Sequence, residues 1–423
     1  MNAIRITFSA MASGPLVRGL VAFGSAEAAT RIVRLGALLI VARRVTPEIF
    51  GTAAVALSLF ELVRVLANIG IGQRLIVASQ DELPALCRSA YRLFWIVCIS
   101  VAGIQLAVAA TLHSVFDLAE PAALLAVLSL VYFVMPPGLV QIFLAMRDNR
   151  MAAVARITAA QNMADSAMTV ALVIIWPSAW AIVLPKLLAA PIWTVLARRS
   201  STWRYDRLGP SASASEFAVF GPSILGTEVL GAARLHADKL LVGALLGTEA
   251  LGIYYFAFNA GLGITQSFVS ACNLVVFPHL AKAHASDALK ELRMAFVTGL
   301  AILAPVVAAQ SFFAPLYVPI IFGEIWVPAT PYIVLLSCAA LPLYAGSLVG
   351  AGYRAGGRPQ AETFITAVAT GAALTGLALG ASVSLEWACF GYGAGLAIAF
   401  LPAAYASLSG RPLRTNPIPK TEG

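Results

Sequence analysis

The chain has 423 residues and a mean hydropathy of +0.86; 60% of its residues are hydrophobic and only 11% are charged. Soluble domains carry about 25% charged residues, so this composition cannot cover the surface of a water-soluble body. It excludes a soluble enzyme, a nucleic-acid-binding protein and a disordered scaffold. The formal net charge of +8 is explained by basic loops beside a membrane, without a nucleic-acid partner.

Apolar runs of transmembrane length follow one another along the chain. A helix needs about 20 mainly apolar residues to cross a hydrocarbon core of about 30 Å. Gly, Pro and charge clusters separate twelve such runs, which predicts an all-α polytopic membrane protein. The predicted spans are 19–42, 49–73, 92–113, 121–146, 153–176, 178–197, 217–246, 250–280, 292–316, 328–351, 361–383 and 386–408.

The loop charges predict the orientation. Twenty of the 28 Lys and Arg residues lie in the termini and even-numbered loops or, for Arg92, Arg156 and Arg293, in the first turn of the span that follows such a loop, whereas the odd-numbered loops contain only Arg43 and Arg44. Loops rich in Lys and Arg stay on the cytoplasmic side of the membrane. Both termini are therefore predicted to be cytoplasmic.

A basic, Ser- and Gly-containing stretch divides the twelve spans into two sets of six. The predicted organisation is an N-terminal lobe (1–197), a cytoplasmic linker (198–216), a C-terminal lobe (217–408) and a cytoplasmic tail (409–423). A shift of 201 residues places Glu48 on Glu249 and Gly51 on Gly252, in corresponding turns of the two lobes. This weak likeness predicts a parallel internal repeat.

Ionisable residues inside the spans are the candidate functional residues. A charge near the bilayer centre costs at least about 2.5–3.5 kcal/mol, so it must face a partner or a polar cavity. The bases are Arg31, Arg34, Arg64, Lys186, Arg234 and Lys239, and the acids are Glu27, Glu61, Asp165, Glu228 and Asp238.

Spacing allows two interpretations of these charges. Glu27 and Arg31 stand four residues apart and Glu61 and Arg64 three apart, so each couple can form an ion pair within one helix. Arg34 has no such partner, nor does Arg234. An unpaired guanidinium facing a cavity suits an anionic ligand, because its planar fork grips phosphate oxygens in bidentate fashion.

The pattern of intramembrane charges predicts Arg31, Arg34, Arg64 and Arg234 as substrate-binding residues. Glu27, Glu61, Asp165, Glu228, Asp238 and Lys239 are predicted to serve either in ion coupling or in ion pairs. No cofactor is expected, because no GxxxxGK[ST] motif occurs, and the scattered cysteines and histidines lack metal-ligand spacing.

Several stretches together resemble the polysaccharide transport flippases of the multidrug/oligosaccharidyl-lipid/polysaccharide exporter superfamily. These stretches lie in both predicted lobes. The resemblance is made specific by their order and spacing. The stretches are 34–76 with Pro47, Glu48 and Gly51, 236–259 with Asp238, Lys239, Gly243, Gly247, Gly252 and Tyr254, and the shorter segments 276–283, 322–336 and 357–360. Asn68 stands where the family often has an acid.

The resemblance implies a MATE-like fold of two six-helix lobes that open alternately to either side. It implies transport of a polyprenyl-diphosphate-linked oligosaccharide to the outer leaflet for exopolysaccharide, O-antigen or capsule assembly. A polysaccharide polymerase and glycosyltransferases are the expected partners, beside the substrate and the bilayer.

Two other functions compete with this one. An ion-coupled small-molecule exporter of the same superfamily would favour a net acidic cavity, whereas the spans hold six bases against five acids. A membrane-embedded polymerase or ligase would need a large external catalytic loop, and the predicted external loops are short. We therefore expect a transporter and not an enzyme.

Overall fold

The structure is a computed structural model that describes most of the chain. The residues within the described ranges form helices joined by turns, with no strand among them. The ranges are 33–207, 209, 211–213, 215–218, 221–263, 265, 269, 288–356 and 358–409.

Sixteen α-helices can be bounded within these ranges, beside two 3₁₀ helices (Val65–Ala67 and Glu324–Ala329) and a π-helix (Val318–Phe322). The first nine are α1 (Val33–Ala42), α2 (Pro47–Arg64), α3 (Ile71–Ile76), α4 (Leu83–Ser114), α5 (Ala119–Leu128), α6 (Val131–Val134), α7 (Pro136–Arg147), α8 (Met151–Ile175) and α9 (Ala179–Arg199). The others are α10 (Ser215–Ala218), α11 (Gly221–Ala260), α12 (Ala288–Tyr317), α13 (Thr330–Cys338), α14 (Ala340–Ala355), α15 (Pro359–Ala381) and α16 (Leu385–Leu408).

The all-α membrane architecture is confirmed. Among the described residues, eight helical stretches are long and apolar enough to cross a membrane, and a ninth is bent by 58° between Val134 and Pro136. Each of the twelve predicted spans has a helical part in the described ranges. Helix α8 is not among the eight, although its 25 residues reach about 37 Å, because Asn162 and Asp165 make it more polar.

Glycines mark two breaks in the helices, one at a predicted turn and one inside a predicted span. Gly247 has φ 89° and ψ 175° and interrupts α11, in the turn predicted between the seventh and eighth spans. Gly70 has φ 81° and separates α2, with its short 3₁₀ extension to Ala67, from α3. Both conformations are ones that glycine adopts without strain.

The chain divides into two compact units. One contains residues up to Val45 together with Ala56–Ala232, and the other contains Thr46–Val55 and the chain from Ala233 onwards. The lobe and linker boundaries expected from the sequence remain a prediction.

In the second unit, the repeat-related turns lie against each other. A Cβ atom on Gly51 would lie 1.8 Å from the carbonyl oxygen of Thr248, and a Cβ on Gly252 would lie 1.8 Å from that of Pro47. The shift of 201 residues relates Gly51 to Gly252 and also Pro47 to Thr248. The contact is therefore reciprocal, and glycine allows the two backbones to touch.

Aromatic rings surround this crossing. Phe50 packs edge-on against Tyr255, with ring centroids 5.4 Å apart, and against Trp326 at 5.7 Å. Trp326 is fully buried and also packs on Phe256 at 4.1 Å. The crossing thus lies in the core of the second unit.

In the first unit, the described part of the predicted linker packs onto the helix ends. Ser89 of α4 accepts from the backbone N–H of Ala212 at 2.9 Å and donates to its carbonyl oxygen at 2.8 Å. The ring of Tyr205 stacks on Tyr91 with centroids 4.6 Å apart. This segment is therefore fixed to the unit by specific contacts.

Arg74 and two glutamates form an ion-pair network in the same region. Arg74 lies 3.0 Å from Glu82 and 3.3 Å from Glu216 of α10. The hydrogen bond from Arg74 lowers the pKa of the Glu82 carboxyl, which precedes α4. Arg74 thus joins the linker end to the start of α4.

Candidate functional site

Glu61 and two cations form the centre of a polar cluster in the first unit. Nη2 of Arg64 lies 2.6 Å from Oε2 of Glu61, and Nζ of Lys186 lies 3.1 Å from Oε1. The exposed fractions of the side chains are 19% for Glu61, 50% for Arg64 and 30% for Lys186. The Glu61 carboxylate therefore pairs with two cations, and the three side chains together carry a net positive charge.

Helix geometry explains how these side chains meet. Glu61 and Arg64 are three residues apart on α2, so they share one face of the helix. Lys186 comes from α9, directly after Pro185, and its ammonium lies 5.9 Å from the centre of the Phe60 ring. The sequence predicted the Glu61–Arg64 pair, and the structure contains it.

Arg34 extends the cluster from α1. Its Nη2 donates to Oδ1 of Asn162 on α8 at 2.8 Å. Within the described ranges no carboxylate lies within 4.0 Å of its guanidinium. Among the described residues, a neutral amide thus positions Arg34 without neutralising its charge.

Asp165 lies one turn beyond Asn162 on the same helix and is half-buried. It interacts electrostatically with Lys186, Arg34 and Glu61, so it belongs to the same cluster. With all groups ionised, three cations face two carboxylates, and the described cluster carries one net positive charge. Such a surplus inside membrane spans is suited to an anionic ligand.

Glu228 lies elsewhere in the first unit. Its Oε2 accepts a long hydrogen bond of 3.5 Å from Nδ2 of Asn68, at the break between α2 and α3. Glu27 and Arg31 lie outside the described residues, so their predicted roles stay predictions.

The predicted charges of α11 behave differently, because two of them form a closed pair in the second unit. Nζ of Lys239 lies 3.1 Å from both carboxylate oxygens of Asp238, and the hydroxyl of Tyr254 donates to Oδ2 at 2.8 Å. The Asp238 side chain is fully buried and that of Lys239 is 4% exposed. Lys239 also donates to the carbonyl of Leu235 and lies 3.5 Å from the centre of the Phe258 ring.

Arg234 shares α11 with this pair, but the structure gives its charge no carboxylate within 4.0 Å in the described ranges. The side chain is half-buried, and its Nε–H is buried without a hydrogen-bond partner there. Of the four predicted substrate-binding residues, Arg34 and Arg64 come together, Arg234 lies in the other unit, and Arg31 is not described.

Sequence reasoning missed Lys186 and Asn162 as members of the cluster. Lys186 is one of the predicted intramembrane bases, but its partner Glu61 lies 125 residues away in sequence. Asn162 lies 128 residues from Arg34. The available signal was a run of polar residues, Gln161, Asn162 and Asp165, in an otherwise apolar span.

Comparison with protein families gives one match that covers most of the chain. The family model described as "Polysaccharide biosynthesis protein" matches residues 40–331. This range includes every described residue of the polar cluster except Arg34.

Two curated relatives have similar sequences. The lipopolysaccharide biosynthesis protein WzxC of Escherichia coli (strain K12) is 25% identical over 338 residues, which is 77% of this chain and 67% of that protein. The amylovoran biosynthesis protein AmsL of Erwinia amylovora is 26% identical over 174 residues, 40% of this chain and 43% of that protein.

Two solved structures share the fold. The lipid II flippase MurJ in an inward closed conformation has a TM-score of 0.77 at 11% identity, covering 92% of this chain and 87% of MurJ. An inward-facing multidrug resistance MATE transporter has a TM-score of 0.71 at 12% identity, covering 92% and 96%. At these identities the likeness establishes the fold alone.

Proposed function

The chain belongs to the polysaccharide biosynthesis protein family, and on this premise we propose that it is a membrane flippase. Its substrate is a polyprenyl-diphosphate-linked oligosaccharide, moved from the cytoplasmic to the outer leaflet for exopolysaccharide, O-antigen or capsule assembly. The names of the two relatives, one from lipopolysaccharide and one from amylovoran biosynthesis, support this kind of pathway. The fold shared with MurJ and MATE transporters supports transport as the activity.

The observation that carries the proposal is the surplus of positive charge in the polar cluster. Arg34 and Arg64 present guanidinium groups that recognise phosphate, and Lys186 adds a third cation close by. A diphosphate supplies the negative charge that Glu61 and Asp165 only partly provide. A carrier of organic cations requires the opposite balance.

The proposed mechanism is alternating access. The charged headgroup leaves the cytoplasmic leaflet and binds the cationic residues, while the polyprenyl tail remains in lipid. The two six-helix lobes then rock so that the headgroup becomes accessible to the other side. The chain supplies binding and orientation, and the proposal includes no catalytic step.

The proposed location is the bacterial inner membrane, with multiple spans and with both termini in the cytoplasm. The loop-charge bias supports this orientation. A polysaccharide polymerase and glycosyltransferases are the proposed functional partners, since they consume and supply the substrate.

Arg34→Gln tests the role of the cluster. The substitution removes the charge and leaves a shorter, neutral amide that still forms hydrogen bonds, so polysaccharide export should fall by about tenfold or more in cells that depend on this gene. Arg34→Lys should restore export only in part, because an ammonium lacks the bidentate fork. Export is measured as surface polysaccharide per cell, at matched membrane levels of the protein.

The matched control is Arg156→Gln, on the same helix as Asn162. Arg156 is exposed, and its one hydrogen bond within the described ranges goes to the carbonyl of Ala152 in its own helix. This variant should export at the wild-type level. Full export by a stable Arg34→Gln protein would contradict phosphate binding by Arg34.

A further inference from the structure

Arginine side chains join three predicted cytoplasmic loops of the first unit. Nη2 of Arg147, which follows the fourth predicted span, donates to the carbonyl of Ala78 at 2.7 Å. Nη1 of Arg150 donates to the carbonyl of Ser200, which follows the sixth predicted span, at 2.5 Å. The three loops thus meet in one surface, which we call the basic platform. It consists of the described residues of 74–92, 147–150 and 198–216.

Two arginines of α4 hold the linker on this surface. Nε of Arg92 donates to the hydroxyl of Tyr205 at 3.0 Å, and Nη2 of Arg88 donates to the carbonyl of Arg207. Arg88 and Arg92 are four residues apart and therefore share one face of the helix. The hydrogen bond from Arg92 lowers the pKa of the Tyr205 hydroxyl, because a neighbouring cation favours the phenolate.

Arg204 fixes the turn that follows α9. Its Nη1 donates to the carbonyls of Ser201 and Trp203 at 2.9 and 2.7 Å. Bonds to backbone carbonyls hold a guanidinium in place without neutralising it. In the described part of the chain, no carboxylate lies within 4.0 Å of these five guanidiniums: Arg88, Arg92, Arg147, Arg150 and Arg204.

The platform as a whole is positively charged. Its three segments contain nine arginines and five acidic residues, which leaves a surplus of four positive charges. Arg198, Arg199 and Arg207 are exposed, and their side chains make no hydrogen bond within the described ranges. These three guanidiniums can therefore bind an anion without breaking a contact of the fold.

The platform lies at the depth of the lipid headgroups. Arg198 and Arg199 are in the last turn of α9, which is long and apolar enough to cross a membrane, and the ends of such helices reach the headgroup region. The rings of Trp203 and Tyr205 pack near Tyr91, with centroids 6.0 and 4.6 Å away. Trp and Tyr are enriched at this depth, so the composition of the surface fits the membrane interface.

We propose that the basic platform binds the phosphate groups of anionic phospholipids. Charge complementarity and depth select this occupant, because lipid phosphates lie at the level of the exposed arginines. The inference goes beyond the flippase proposal, since these lipids belong to the surrounding membrane and are not the transported substrate. A general attraction of basic loops to the membrane needs no fixed surface, whereas here the carbonyl bonds hold the arginines in place before a lipid arrives.

Binding of phosphatidylglycerol to the purified full-length protein tests the inference. Native mass spectrometry compares it with phosphatidylcholine of the same acyl chains. The wild type should bind phosphatidylglycerol about tenfold more tightly, because each arginine near an anionic headgroup strengthens binding severalfold. Arg199→Gln/Arg207→Gln should lose most of this preference and bind phosphatidylcholine within about twofold of the wild type.

Lys290→Gln/Arg358→Gln is the matched control. It removes the same two charges from predicted cytoplasmic loops of the second unit, where both side chains are exposed. This variant should keep the wild-type preference for phosphatidylglycerol. Melting curves in detergent should match the wild type for both double variants, because none of the four side chains makes a hydrogen bond within the described ranges.

Three results would overturn the inference. An unchanged preference in folded Arg199→Gln/Arg207→Gln would show that the lipid binds elsewhere. Equal losses in the two double variants would reduce the effect to a general attraction between positive loops and anionic lipid. Equal binding of both lipids by the wild type, with tight binding of polyglutamate, would identify an acidic protein as the occupant. All three outcomes leave the flippase proposal intact, since Arg34→Gln tests that proposal by export.

Discussion

Lys239 is the most completely enclosed cation in the described part of the chain. Its ammonium contacts both oxygens of Asp238, a backbone carbonyl and the face of Phe258. Tyr254 satisfies the carboxylate from another direction. A buried pair of this kind contributes little when intact, but removal of one partner leaves an uncompensated charge.

Lys239→Met should therefore destabilise the protein strongly, by about 3–5 kcal/mol. The free energy of unfolding, measured in detergent by titration with a denaturing surfactant, reports the loss. The double variant Asp238→Asn/Lys239→Met should recover most of the stability, because no buried charge remains and Asn still accepts from Tyr254.

Lys290→Met serves as the control, since Lys290 is exposed on α12. It should leave the unfolding free energy near that of the wild type. If Lys239→Met is as stable as the wild type, the pair does not hold a buried charge in the native protein.

For single residues, the sequence predicted most of the charged side chains in the spans but few of the residues that contact them. Spacing of three residues predicted the Glu61–Arg64 pair, because neighbours on one helix face can be read from the chain. The contacts of Glu61 with Lys186 and of Arg34 with Asn162 join residues more than 120 positions apart. Only the packing of α2 against α9, and of α1 against α8, brings them together.

Among the elements, the crossing at Gly51 and Gly252 leaves no space for a side chain. Each glycine lies against a backbone carbonyl of the opposite turn, and a backbone atom cannot move aside as a flexible side chain can. The reciprocal geometry also explains why both turns have glycine at this position.

Gly51→Ala and Gly252→Ala should each force the two turns apart and cost about 1–3 kcal/mol of stability or more. Gly103→Ala on α4 is the matched control: a Cβ there meets no atom within 4 Å, and Ala favours the helix by about 1 kcal/mol. The melting temperature in detergent should fall for the first two variants and stay level or rise for the third. Unchanged melting of both crossing variants would contradict the close approach.

The elements themselves were largely predictable, because apolar runs of transmembrane length must be helical in lipid. Hydropathy placed a span over each of the helices α12, α15 and α16. It did not locate the break near Gly70 or the 58° bend before Pro136, since both depend on local backbone conformation within an apolar run.

For the whole molecule, composition alone predicted a membrane protein, and the described helices, eight of them long and apolar enough to cross a membrane, agree with a polytopic all-α fold. The identity of the substrate was not contained in composition or spacing. The substrate is inferred from the family resemblance and from the charge surplus of the polar cluster, in which two carboxylates face three cations.

Translocation by the purified protein tests the central claim most directly. The protein is reconstituted into liposomes with a polyprenyl-diphosphate-linked oligosaccharide, and an impermeant glycosidase reports which sugars are accessible outside. The accessible fraction should rise beyond the outer-leaflet share with wild-type protein. It should rise more slowly with Arg34→Gln and not at all in protein-free liposomes. No rise with folded wild-type protein, in vesicles where the same protein transports a small organic cation, would contradict the flippase account.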